Sequence, residues 1–143
     1  MTHVIGTIAM MDIPKIVSRF VYPSIRKRLI EILYYEYNLT QKEIARMLYL
    51  SQSAVSRYIQ GNRGNFLDIK KAPKTNEQLK NLAREVLNNN YTKYEFEEKL
   101  LKITLAALGR GEICQFHNQI DSTIDPRECK VCINLFSPFA DGK

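Results

Sequence analysis

Every cysteine of the chain and one of its two histidines lie beyond Gly111, as Cys114, His117, Cys129 and Cys132. The pattern is C-x2-H-x11-C-x2-C. Two pairs of soft or borderline ligands, each with two residues between, form knuckles whose side chains converge on one ion. The long gap carries Asp125-Pro126, a turn-forming pair ahead of the second knuckle. Three thiolates and one imidazole complete a tetrahedral Zn²⁺ shell, and the same thiolates suit an iron–sulfur cluster. Either centre would be structural or sensory, because a closed shell leaves no position for an activated water. An odd number of cysteines argues against a framework of paired disulfides.

A second group able to do chemistry is Gln52, Ser53, Ser56, Arg57 and Gln60. At helical spacing these fall on one face of a short segment, while Ala54, Val55, Tyr58 and Ile59 fall on the other. Amides, hydroxyls and a guanidinium with no carboxylate among them match the hydrogen-bonding edges of bases and the phosphates of a major groove. No catalytic constellation accompanies them. There is no GxGxxG, no GxxxxGK[ST] and no HExxH, and Gly61–Gly64 follows no strand, so it is not a phosphate loop.

The elements that must hold these residues read as helices almost throughout. Asp12 caps a helix entered through Pro14, with Ile16, Val17, Phe20 and Val21 on one face. Pro23 is expected to interrupt or restart it. The next stretch, about 24–37, turns Ile25, Leu29, Ile32 and Leu33 inward, and Asn38 ends it. Thr40 and Glu43 form a capping box opening a helix to about Tyr49. Ser51 caps another that ends near Gln60–Gly61. Residues 62–74 read as loop, with a short extended piece at 66–69. Thr75/Gln78 and Thr92/Glu95 read as two more capping boxes. The helices they open carry Leu79, Leu82, Ala83, Val86 and Leu87, and then a segment from Leu100 to Leu108 that is apolar nearly all round and needs cover on most sides. Tyr34, Tyr35 and Tyr37 read as core and flanking surface, and Arg26, Lys27 and Arg28 as a solvated face.

Over about residues 12–64 the chain resembles the helix-turn-helix of the lambda-repressor-like class. It is similar to a group of archaeal predicted transcriptional regulators that share a lead-in like YPSIRKRLIEIL and the run QKEIA…SQSAVSRYIQGNRG; the Cys/His end resembles the C-terminal end of the same group. Tyr49 departs from the pattern, since that turn often holds Gly. The resemblance implies that Gln52 reads an adenine, braced by Gln41, which also touches phosphate. Ser53 sits beside Gln52 at the start of the recognition helix, with Ser56 and Arg57 one turn on. Arg57 is placed to pair with guanine or phosphate, Arg63 and the backbone of 61–64 to grip phosphate beyond the helix end, and Lys42 to add a further phosphate contact.

Composition bounds the remaining choices. A length of 143 residues suits one domain or a domain with an appendage, and 45% hydrophobic residues suffice for a core. No run of 18 apolar residues exists, so no membrane-spanning segment is expected. The first eleven residues lack the basic start of a secretory signal; they read as an extension in which Met10 or Met11 is a candidate start, and the location expected is cytoplasmic. Residues 1–74 hold 12 Lys+Arg against 5 Asp+Glu, whereas 75–143 hold 9 against 10. A net of +7 beside −1 suits one half that meets a polyanion and another with a different task.

The expectation is thus an all-α, non-enzymatic chain: a lambda-repressor-like helix-turn-helix domain at 12–74, a helical hairpin for dimerisation at 75–110 and a metal knuckle at 111–143. Its partners would be double-stranded DNA and a second copy, met through Leu100–Leu108 with Leu79–Leu87 beside it. Two other readings stay open: a metal-stapled helical module for protein or RNA, and an iron–sulfur redox-sensing regulator.

Overall fold

The computed structural model describes residues 12–140, and all regular structure among them is helical. The candidate starts at Met10 and Met11 lie outside the described residues. Helix α1 is composite: α-helical over Ile13–Ile16, π-helical over Val17–Val21, α-helical over Tyr22–Glu31 and π-helical again over Ile32–Glu36. There follow α2 (Gln41–Leu48), α3 (Gln52–Ile59), a 3₁₀ turn (Ile69–Lys71), α4 (Pro73–Asn88), α5 (Lys93–Gly109), α6 (Cys114–Ile120), α7 (Val131–Phe136) and a last 3₁₀ turn (Ser137–Phe139).

Asp12 does cap the first turn, its side chain accepting from the Lys15 amide. Pro23, expected to interrupt or restart the helix, does not break it: the α-helical segment restarts at Tyr22 with Pro23 in its first turn. The backbone stays right-handed helical through Tyr22 because the preceding turn widens, with the Tyr22 N–H donating to the Val17 carbonyl. A wider turn absorbs the proline ring that an ordinary α turn would reject. Ser24, buried one residue on, donates to the Phe20 carbonyl at 2.7 Å and accepts from the Leu67 amide at 3.1 Å. That hydroxyl ties α1 to the loop after α3. Asn38 ends α1 with φ 58°.

Three other expectations are corrected. Residues 66–69 are not extended; Leu67 and Ile69 are buried and the chain turns into the 3₁₀ segment, which Asp68 caps by accepting from the Lys70 amide. Thr75 does not cap a helix with Gln78. Proline starts α4 two residues earlier, and Thr75 sits buried in its first turn, donating to Glu112 at 2.6 Å. The trio Arg26, Lys27 and Arg28 is not a solvated face. Its side chains are only 21%, 18% and 11% exposed and pair with Glu97, Glu31 and Glu36, and Arg28 also donates to Asn76 at 2.7 Å. Arg28 and Arg26 thereby fasten α1 to α4 and α5, while Lys27 pairs within α1.

One cluster of buried side chains runs from Ile16 through Leu29, Ile44 and Val55 to Leu79, Leu100 and Phe116. It passes without a break across residues 74 and 111. Helix α1 packs on α3, α4 and α5, and α4 packs on α5. The nearly all-round apolar character of α5 is explained by its surroundings: α1 and α4 cover one side, and α7 with the last 3₁₀ turn covers another.

Candidate nucleic-acid interface and candidate metal pocket

The α2–α3 pair is fixed at both starts. Thr40 and Glu43 form the reciprocal capping box expected of them, Thr40 Oγ1 accepting from the Glu43 amide at 3.1 Å and Glu43 Oε1 accepting from the Thr40 amide at 2.8 Å. The bonds that the Glu43 carboxyl accepts from the Thr40 amide and the Thr40 hydroxyl hold it below the usual carboxylate range. The one carboxylate between residues 37 and 67 is thereby committed to a cap. Ser51 Oγ accepts from the Ala54 amide at 3.1 Å and opens α3. Between them Tyr49 closes α2 in the left-handed region, with φ 60° and ψ 40°. A non-glycine residue there is strained. Its ring has another task, since the Tyr49 hydroxyl donates to the Tyr91 carbonyl, tying the turn to the α4–α5 connection.

The pair packs through Ile44, Ala45, Leu48, Ala54, Val55 and Tyr58, all buried. The opposite side of α3 faces solvent. Gln52, Ser53, Arg57 and Gln60 are exposed and Ser56 is half-buried. Gln60 donates to Ser56 Oγ at 2.9 Å, and Ser53 lies 3.2 Å from Ser51 Oγ. Lys42 is exposed and Gln41 half-exposed at the start of α2. Among the described residues no hydrogen bond joins Gln41 to Gln52. Arg63 stands over the Tyr58 ring at 5.6 Å, so its guanidinium is held beside the end of α3.

The 61–64 backbone is partly committed inward. The Gly61 amide donates to Tyr58 O at 3.2 Å and the Asn62 amide to Arg57 O at 2.9 Å. Gly64, at φ +73°, lies against the Pro23 carbonyl of α1. The loop that carries Arg63 is a fixed shelf rather than a free arm. It is further anchored by Phe66, whose ring lies 4.7 Å from that of Phe20.

In the tail, Cys114, His117, Cys129 and Cys132 all line a single pocket. Burial, then the proximity of Cys129, pushes the Cys114 thiol up. Burial, then Cys114 and Cys129, pushes Cys132 up to about 11. Among the described residues, however, no three Cys, His, Asp or Glu side chains form a ready-made ion site. The donor set fits a thiophilic ion in chemistry, while the coordination shell is not drawn together. The three thiols are free of disulfides.

Sequence reasoning did not anticipate the rest of the pocket wall. Ile13, Ile16 and Val17 of α1 line it, together with Leu108 of α5. Their spacing marks them only as a core-facing stripe, and nothing in it says what covers the stripe.

Residues 24–60 match the family model described as winged helix-turn-helix DNA-binding. The chain matches no curated protein and no solved structure. The matched stretch runs from the second half of α1 to the end of α3, so the likeness to a helix-turn-helix DNA-binding segment falls on the packed α2–α3 pair. Among the described residues no strand follows α3, so the three helices are present and the strands of a wing are not. No helix among the described residues is long and apolar enough to cross a membrane.

Proposed function

We propose that the chain is a non-enzymatic, sequence-specific transcriptional regulator that binds double-stranded DNA as a homodimer. The observation that carries this reading is the outer face of α3, a row of amides, hydroxyls and one guanidinium, free of carboxylates and mounted on a packed, doubly capped helix pair. In the proposed complex α3 lies in the major groove. Gln52 and Ser53 read base edges, Ser56 and Arg57 extend the reading one turn further, and Gln41, Lys42 and Arg63 hold phosphates.

A single helix-turn-helix covers few base pairs, and a two-fold dimer on two half-sites supplies the missing selectivity. The apolar face available for it is narrower than the sequence suggests. Leu100, Ile103, Ala107 and Leu108 are used inside the chain, as are Leu79, Leu82 and Val86. Leu101 of α5 remains 44% exposed, and Leu135 on the adjoining α7 is 60% exposed. These two are our candidates for the centre of the interface. The tail is proposed to bind one metal centre through Cys114, His117, Cys129 and Cys132, Zn²⁺ in the first place and an iron–sulfur cluster as the alternative. Its task is to supply folding free energy to a segment with few buried side chains of its own.

Salt dependence tests the phosphate roles. Binding of the full chain to duplex DNA is expected to weaken linearly on a log–log plot against salt. The Lys42→Gln, Arg63→Gln variant should flatten that slope by about 0.9 for each contact removed, in every protomer and on every sequence. An unchanged slope would remove these two residues from the interface. Light scattering at tens of micromolar should give the mass of a dimer, and a monomeric mass would count against the dimer.

A further inference from the structure

We infer that the ion bound in the Cys114/His117/Cys129/Cys132 pocket braces the first two turns of α1, and through them the loop behind the recognition helix, so that DNA binding is metal-dependent. The inference rests on the metal-binding reading of the tail and adds the route by which the metal acts.

The pocket is built from two sides. The tail supplies the four donors, and α1 supplies Ile13, Ile16 and Val17 as the facing wall. The α-helical piece Ile13–Ile16 is four residues long. As the N-terminal turn of α1 it is where the helix frays first unless its apolar side chains are covered. Besides the Asp12 cap, its cover is the burial of Ile16, which is 4% exposed and lines the tail pocket while belonging to the core. The π-helical turn Val17–Val21 then joins this piece to the remainder of α1. Across that turn the regular i→i+4 bonding of the helix is interrupted. If the pocket wall opens, the turn at 17–21 is where α1 should fray.

Phe20 lies within that turn. Its ring packs on Phe66 at 4.7 Å, and Phe66 belongs to the shelf that carries Arg63 and Gly64. Fraying of 13–21 therefore withdraws one of the supports of the shelf, and Ser24 begins the part of α1 that stays. The route runs from the tail donors past Ile16 and Val17 and the π turn to Phe20 and Phe66, and so to the loop that carries Arg63. Its two-state element is the local opening of the first two turns of α1, a low-cost event of the kind hydrogen exchange resolves.

The experiment uses the full chain, stripped with chelator and then reloaded with Zn²⁺, with metal content measured in both forms. Hydrogen exchange of amides 16–21 should be at least fivefold faster in the stripped form, and its affinity for duplex DNA at least fivefold weaker. Phe20→Ala should bind Zn²⁺ as the parent chain does, yet show loaded and stripped affinities within twofold of each other. Phe66→Leu, at an exposed position, serves the same purpose if Phe20→Ala does not fold. Equal DNA affinity in the loaded and stripped parent would overturn the inference while leaving the metal site standing. So would a metal dependence undiminished in both variants. A chain that takes up no Zn²⁺ would overturn the metal reading itself, and the measured metal content separates that outcome from the others.

Discussion

Gly64→Ala is expected to destabilise the chain by about 2–5 kcal/mol, the sum of about 1–2 for an L-residue in the left-handed region and about 1–3 for overpacking. Both contributions come from geometry. Gly64 has φ +73°, and a Cβ there would stand 2.5 Å from the Pro23 carbonyl oxygen and 2.8 Å from Lys27 Cβ. Pro23 lies in the middle of α1 and cannot retreat without disturbing the π turn before it. The neighbouring Gly61 supplies the control. Its φ is +84°, but a Cβ there meets only the Asn65 side chain at 4.0 Å. Gly61→Ala should therefore carry the backbone cost alone. Denaturant midpoints of the two variants, read with a common slope, test the comparison. Equal losses would mean that the shelf behind α3 is not pressed against α1.

Gly109→Ala should reverse the usual sign of a glycine-to-alanine change in a helix. At an unencumbered helical position the change gains up to about 1 kcal/mol. Gly109 ends α5 where α7 and the last 3₁₀ turn press on it. A Cβ would meet the Phe136 carbonyl oxygen at 2.2 Å and its carbon at 2.6 Å. These are backbone atoms, so no rotamer change relieves the contact, and the tail must lift or shift. The expected loss is about 1–3 kcal/mol, the range for overpacking, with the upper end favoured by a backbone neighbour. Limited proteolysis should find new cleavage after Gly111 in the variant, and thermal unfolding should begin earlier. A variant more stable than the parent, with an unaltered digestion pattern, would show that the tail does not dock on α5 in this way.

The parts of this fold legible in the sequence are those governed by local chemistry. The Thr40/Glu43 and Thr92/Glu95 boxes form as their spacing requires. Ser51 opens α3, Asn38 ends α1, and the polar and apolar faces of α3 fall where a period of 3.6 places them. Long-range competition defeats the local rule elsewhere. Thr75 has the spacing of a cap, but a distant, half-buried partner, Glu112, claims its hydroxyl, and Arg110 donates to the same hydroxyl at 3.1 Å. Pro23 has the look of a break, but a neighbouring turn can widen instead. Arg26 and Arg28 look solvated because Glu97 and Asn76, which receive them, come from distant segments, whereas the Glu31 partner of Lys27 lies one turn along the same helix. The same limit governs the candidate sites. Periodicity sorts Gln52 from Val55 because both lie on one helix. It gives no hint that α1 walls the cysteine pocket, because that contact joins residues about a hundred positions apart.

The central claim is that α3 reads base sequence through Gln52. The most direct test is selection from a random pool of duplexes by the full chain and by its Gln52→Ala variant. The parent should enrich a motif of two related half-sites about 34 Å apart, as a two-fold dimer of recognition helices requires. The variant should lose preference at one position of each half-site, at a cost of about 1–3 kcal/mol per lost base contact. A pool that yields no motif, or the same motif at the same affinity with Gln52 removed, would contradict the assignment of α3 as the reading helix.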